Sequence, residues 1–416
     1  MDLRKTILAV GLLAAVVTAG VLDTNDVKMN STLGLGANPA AIAVNKQSKV
    51  EAGTIAVNNL SQSNQIKDGE FNGISLFDGK NINSSSFNDA TKFLSYTDVW
   101  NNNWFSVRYR YESNLYPNFS ANLTLPSPVL QNLLDPNFKA KGTMYRKDAL
   151  ETVAFQWARE LVKGFSGGVE LATNIYTLDD QLTFNKAAKD ISHAMLGGSP
   201  FQDTKAYSQS GSYYTLTLGG IYDIANNQKV SLSQKFSQDR GVYTNDDKGS
   251  QYSYTESLPN ETGLAYIFAP NNALEVAAVF KTFWGTTYER NVRHSDKPEY
   301  TETVRILPCN SYGFAASYAA TKEVTLQGYG NFLRNYKASD ISGYAEEQGY
   351  NVSQLGGNIQ YAPSFFNGGK ILLGSYVTRL VSEDQAVGRV FDITNTSLSY
   401  SHSFNSLWTP SIAVKK

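Results

Sequence analysis

The chain contains a single cysteine, Cys309, among 416 residues. An intramolecular disulfide and a cysteine-ligated metal site are both ruled out. The three histidines, His193, His294 and His402, stand far apart, without metal-ligand spacing. Charge is also scarce. Charged residues make up 18%, where a soluble domain usually carries about 25%. The formal net charge is −1 with no Lys/Arg run and no acidic tail, which argues against nucleic acid as a partner. Beyond the N-terminus no stretch is apolar for the ~20 residues that a spanning helix needs.

Aromatic residues are plentiful. Tyr (25) leads Phe (21), and glycine is common (32). Low charge with many Tyr and Gly suits a wall that faces lipid on one side and water on the other. The N-terminus has its own pattern. Arg4 and Lys5 precede an apolar run from Ile7 to Val17, and small residues follow at Thr18-Ala19-Gly20. That order predicts a secretory signal over 1–20. The run is too short for a membrane anchor. An exported chain without a spanning helix is soluble, secreted or a barrel.

The remaining pattern favours the barrel. Phe105, Val107, Tyr109 and Tyr111 alternate with Ser106, Arg108, Arg110 and Glu112. Tyr312, Phe314, Ala316 and Tyr318 share one face, as do Leu355, Gly357, Ile359 and Tyr361. Leu274, Val276, Ala278 and Phe280 form another such set, and Leu398, Tyr400, His402 and Phe404 close the series. Period two means strands with one apolar face. Aromatics at strand ends and strands of ~10 residues or more favour a membrane barrel over a soluble sandwich. Tight Asn/Gly/Lys turns, as at Asn226-Asn227 and Asn271-Asn272, alternate with long polar segments such as 240–250, 285–302 and 334–350.

The expected fold is all-β: a transmembrane antiparallel β-barrel of about 14 strands with an N-terminal plug in the lumen. The strands are placed near 48–58, 103–112, 118–126, 149–158, 165–176, 211–222, 228–238, 251–269, 273–286, 304–319, 323–333, 351–361, 370–380 and 391–404. Residues 21–47, rich in Gly and Ala, are assigned to the plug, 48–404 to the barrel and 405–416 to a C-terminal extension. Residues 60–99 show few strand signals and are assigned to an extracellular excursion.

Several quoted segments resemble the FadL/TodX family of outer-membrane transporters for long-chain fatty acids and hydrocarbons. Asn38-Pro39-Ala40 matches the Asn-Pro-Ala signature of that family's hatch. Lys163-Gly-Phe with Gly167-Gly-Val-Glu-Leu, then Tyr213-Tyr-Thr-Leu-Thr-Leu-Gly-Gly-Ile-Tyr, follow in the family's order. So do Ser257-Leu-Pro-Asn and Phe280-Lys-Thr-Phe-Trp284. The resemblance implies a plugged fourteen-stranded barrel in the outer membrane that moves hydrophobic small molecules without an energy source. It implies no cofactor, and lateral release through a gap at the third strand. Lipid and lipopolysaccharide would surround a monomeric barrel. The corresponding stretch here, Phe119 to Pro128, has no glycine, and only Pro126 and Pro128 could break the wall there.

Two kinds of site residue follow. Asn38, Pro39 and Ala40 are the hatch candidates, Pro39 fixing a bend that Asn38 holds by hydrogen bonding. Arg108, Arg110 and Arg305 are candidate cations for a ligand carboxylate. After Tyr176, where the resemblance implies cations near the head of a fatty acid, this chain has Asp179 and Asp180, which favours a neutral hydrocarbon instead. No catalytic or metal residue is expected. Gly164-Phe-Ser-Gly-Gly168 fits G-x-S-x-G, but it lies in a turn between strands rather than on a strand-to-helix elbow. The main alternative is a general diffusion porin for small hydrophilic solutes; the plug argues against it.

Overall fold

The computed structural model describes residues 38–66, 70–71, 74–75, 82–84, 90–113, 119–123, 140–184, 204–246, 251–294, 298–336, 339–341, 350–382 and 387–406. The expected signal peptide, most of the expected plug, Pro126, Pro128 and nearly all of the C-terminal extension lie outside these residues.

Fourteen strands form the wall: β1 (Lys49–Ile66), β2 (Ala90–Trp100), β3 (Asn103–Ser113), β4 (Ala140–Val162), β5 (Phe165–Phe184), β6 (Thr204–Ala225) and β7 (Gln228–Ser237) come first. They are followed by β8 (Glu261–Phe268), β9 (Leu274–Phe283), β10 (Cys309–Ala319), β11 (Val324–Tyr336), β12 (Tyr350–Tyr361), β13 (Gly369–Ser382) and β14 (Val387–Ser403). Each pairs antiparallel with the next. β14 then pairs back onto β1, with Lys49 opposite Ser403 and Ile66 opposite Val387. The ring is closed, so the wall has no unpaired edge.

The turn chemistry sets the two ends apart. At one end the connections are tight. Asn101 and Asn102 link β2 to β3 at positive φ, and Gly164 links β4 to β5 at φ 81°. Asn226-Asn227 joins β6 to β7. The β12–β13 turn carries a 3-10 turn at Ser364–Phe366, then Asn367 and Gly368 at positive φ. At the other end the chain makes long excursions, and the strands Arg240–Asp246, Gln251–Glu256, Thr286–His294 and Tyr300–Ile306 extend the wall beyond the ring.

The two faces of the wall are inverted relative to a water-soluble protein. Thr54, Ser106, Gln156, Asn174, Thr217, Ser233, Asn358 and Thr378 point inward and are buried. Phe155, Leu171, Leu232, Phe314, Leu355 and Leu373 point outward, each about half exposed. A continuous apolar exterior of this extent is stable only against lipid. Exposed aromatics mark its rims, with Trp100 and Phe365 near the tight turns and Tyr214 and Trp284 toward the far end.

Two expectations need correction. Residues 60–99 are not all excursion, since β1 runs on to Ile66 and β2 occupies Ala90–Trp100. Alternation is masked in β2 because Phe93 points inward while Lys92 points outward. The stretch read as a wall strand at 118–126 instead pairs as Phe119–Leu123 with the far end of β4, beyond β3. The expected count of fourteen holds because one error offsets the other.

Candidate functional site

The N-terminal segment from Asn38 runs inside the barrel near the tight-turn end. Its first anchor is Asn38, 1% exposed. The Asn38 side-chain amide donates to the Ser231 hydroxyl at 2.8 Å, the Leu232 carbonyl at 2.9 Å and the Gly220 carbonyl at 3.1 Å. Its carbonyl oxygen accepts from the Ala40 backbone N–H at 2.9 Å. This Asx-type bond closes the turn that Pro39 bends. A short helix, α1 (Ala41–Asn45), follows and ends at Lys46 in the left-handed region (φ 44°).

The wall is shaped to receive this turn. Gly168 and Gly219 are cross-strand partners and both face inward. A Cβ on Gly168 would lie 2.5 Å from the Ala40 nitrogen. One on Gly219 would collide with the Asn38 amide oxygen. The pair leaves a flat patch of backbone on which Asn38-Pro39-Ala40 sits.

α1 then lies along the inner wall over β3, β4 and β5. Ala40 and Ala41 share an apolar cluster with Ile221, Ile267, Ala277, Ala315, Tyr329 and Tyr376. Ala43 packs with Trp104 and Ala158, which continue the Gly219–Gly168 row onto β4 and β3. Inward-facing positions are therefore apolar at this level and polar farther along the same strands. Lys46 pairs with Glu160 at 2.6 Å, and the Ser48 hydroxyl donates to Asp98 at 2.7 Å.

One side-chain row farther from the tight turns, about 7 Å along the strands, Glu170 on β5, Thr217 on β6 and Lys235 on β7 stand opposite one another. They border a lumenal cavity of about 240 Å³. Arg108, Arg110, Lys235 and Lys281 line it with Glu170 and Glu261, so its described lining carries two more cations than anions. Arg108 pairs with Glu170, which also accepts from Gln156 at 2.7 Å. Lys235 pairs with Glu261 at 2.7 Å. Phe93, Leu150, Ala154 and Tyr213 supply apolar surface. A second cavity, about 690 Å³ and mostly polar, lies at the tight-turn end between Gln47, Lys49, Asn271, Glu275 and Lys370.

Among the candidate residues, Arg108 and Arg110 thus line one cavity, and Asn38, Pro39 and Ala40 form the seat beside it. Arg305 is elsewhere: it is exposed on Tyr300–Ile306, beyond the ring. Lys235 and Lys281 carry no sequence signal of their own, because the strands that face them across the lumen are unknown until the sheet is closed. Ser166 of the G-x-S-x-G match is buried on β5 just after the Gly164 turn, with no helix following.

This architecture is a closed fourteen-stranded membrane β-barrel with residues 38–45 on its inner wall. No protein-family model and no curated protein matches the chain. Solved structures do. The toluene transporter TodX of Pseudomonas putida superposes with a TM-score of 0.57 at 12% identity, covering 88% of this chain and 92% of its own. The toluene transporter TbuX of Ralstonia pickettii gives 0.56 at 10% identity, covering 88% and 92%. A FadL homologue of Pseudomonas aeruginosa gives 0.57 at 12% identity, covering 89% and 94%. The chain has the fold of these transporters.

Proposed function

We propose that this protein is a passive outer-membrane transporter of hydrophobic small molecules, and that its preferred solutes are amphiphiles with an anionic head. The observation that carries the reading is the placement of a cation-rich cavity beside the Asn38-Pro39-Ala40 seat, inside a barrel with a lipid-facing exterior. The tight turns would face the periplasm and the excursions the outside, as in bacterial barrels. The N-terminal segment serves as a hatch. A carboxylate in the cavity would meet Arg110 and Lys281, and an alkyl tail would gain roughly 0.8 kcal/mol per CH₂ buried against apolar surface. Movement of the hatch would then open the way onward.

Uptake by proteoliposomes tests this with three probes: labelled oleate, a neutral monoaromatic and a small sugar. Saturable oleate uptake without sugar flux is expected. Removing the two cations (Arg110→Ala with Lys281→Ala) should raise the half-saturation concentration for oleate about tenfold, the loss of roughly 1.4 kcal/mol, and leave the monoaromatic unchanged. The polar lining of the 690 Å³ cavity is the feature that favours a general porin. Sugar flux with no saturable hydrophobic uptake would establish that reading instead.

A further inference from the structure

The 690 Å³ cavity at the tight-turn end differs from the smaller one in its chemistry. Among the described residues no aromatic side chain lines it, and eight of its lining residues are Asn or Gln. A side-chain amide both donates and accepts, so such a lining suits a ligand that does both. Asn45 and Gln47 come from the end of α1 and just beyond it, and Gln327 and Gln360 from β11 and β12. Asn271-Asn272, in the turn before β9, is exposed, so the cavity opens to solvent at this end. Its inner limit is the apolar layer packed with Ala40 and Ala41. Along β9 the inward positions run Glu275, Ala277, Val279 and Lys281: the polar cavity, two apolar rows, then the cation-rich cavity.

Three charged side chains line this cavity: Lys49, Glu275 and Lys370. Lys49 is taken up by Glu51 at 2.6 Å. The other two are not matched within the chain. Among the described residues Lys370 makes no ion pair and no hydrogen bond. Glu275 makes none either, and its Oε1 is buried without a hydrogen-bond partner. Lys229, the cation that acts on Glu275, is itself bound to Asp223 at 2.6 Å. A carboxylate oxygen in that position has lost its water, and a donor on a ligand would replace it. Glu275 is the second residue of β9 and Lys370 the second of β13, so both stand at the tight-turn end. Four strand-to-strand steps separate them, about 19 Å around the wall.

From this arrangement we propose that the cavity is a binding site for a short zwitterionic peptide of two or three residues, entered from the tight-turn end. Its ammonium group meets Glu275, its carboxylate meets Lys370, and its peptide groups bond to the amide side chains between them. Two or three extended residues span about 7–10 Å, and the two charged side chains cover the remainder from opposite sides. Other ligands match less of the lining. A neutral sugar leaves both charges unanswered, a simple anion is repelled by Glu275, and an alkyl chain finds no apolar or aromatic surface. The site is separate from the cation-rich cavity, so it stands whether or not the transport reading does.

Titration calorimetry with triglycine tests it, on the whole protein in lipid nanodiscs, which leave the tight-turn end open to solvent. Saturable binding is expected. N-acetyl-triglycine amide keeps the peptide groups but lacks both charges, and should bind about tenfold more weakly or worse. Glu275→Gln and Lys370→Gln should each weaken triglycine binding by about tenfold or more, without changing the weak binding of the capped peptide. Reversing both charges (Glu275→Lys with Lys370→Glu) should restore binding of triglycine, because the peptide can lie the other way round. That recovery distinguishes a lost charge match from a damaged fold. Equal binding of the free and capped peptides would overturn the site, as would full binding by both single variants. Failure of the folded wild type to bind triglycine would overturn it too, and would leave oleate uptake untouched.

Discussion

Among the described residues of the N-terminal segment, Asn38 makes the most of its hydrogen-bonding capacity. All four of its side-chain bonds are local to one turn and one patch of wall. Asn38→Ala would leave buried acceptors on Ser231 and Leu232 without their donor, at about 1–3 kcal/mol. We expect the segment 38–45 to detach from the wall in that variant, seen as sugar flux through reconstituted barrels that the wild type does not pass. Gly219→Ala should do the same from the other side of the contact, since the new methyl group would occupy the place of the Asn38 oxygen. Gly328→Ala is the matching control, because nothing lies within 4 Å of a Cβ there. Equal behaviour of the Gly219 and Gly328 variants would mean that the flat patch is incidental.

For single elements, alternation decides what was legible. β3, β10 and β12 were placed within a few residues because one face of each is apolar throughout and the other polar. β2 was lost because Lys92 and Phe93 each sit on the face where the opposite chemistry is usual. The contact of α1 with the wall left a subtler trace. Where α1 covers the inner wall, inward positions become apolar too, giving doublets such as Trp104-Phe105 and Ile221-Tyr222. Such doublets read as noise in a period-two pattern, although they report a lumen filled at that height. Asn38-Pro39-Ala40 was legible by resemblance; the glycine pair that receives it was visible only as two Gly-Gly dipeptides. The four cavity cations come from three different strands, β3, β7 and β9, so their meeting depends on ring closure, which no local pattern encodes. The lipid-facing register makes its own prediction. Leu171→Arg, outward at mid-strand, should cost about 2–4 kcal/mol, whereas Thr217→Arg, inward beside the cavity, should fold and change solute preference. Unfolding in urea from lipid vesicles reads the difference.

At the scale of the whole molecule, every wall strand has two partners, and the ladder is interrupted only locally. Such a barrel should keep its compact form in cold detergent and lose it only on heating, giving two mobilities on a gel. One mobility at both temperatures would contradict the closed ring. The pairing of β1 with β14 has a further consequence, for the order of events during assembly. Lys49 finds Ser403, and Ile66 finds Val387, across nearly the whole sequence. Contacts of such long separation form late, because the loop they close costs entropy before it returns anything. Until the last strand arrives, β1 and β13 each present a row of unsatisfied backbone groups, which lipid cannot tolerate. The ring therefore cannot be built into the bilayer one hairpin at a time: insertion must wait for the final strand, or a temporary partner must cover the two open edges until it comes.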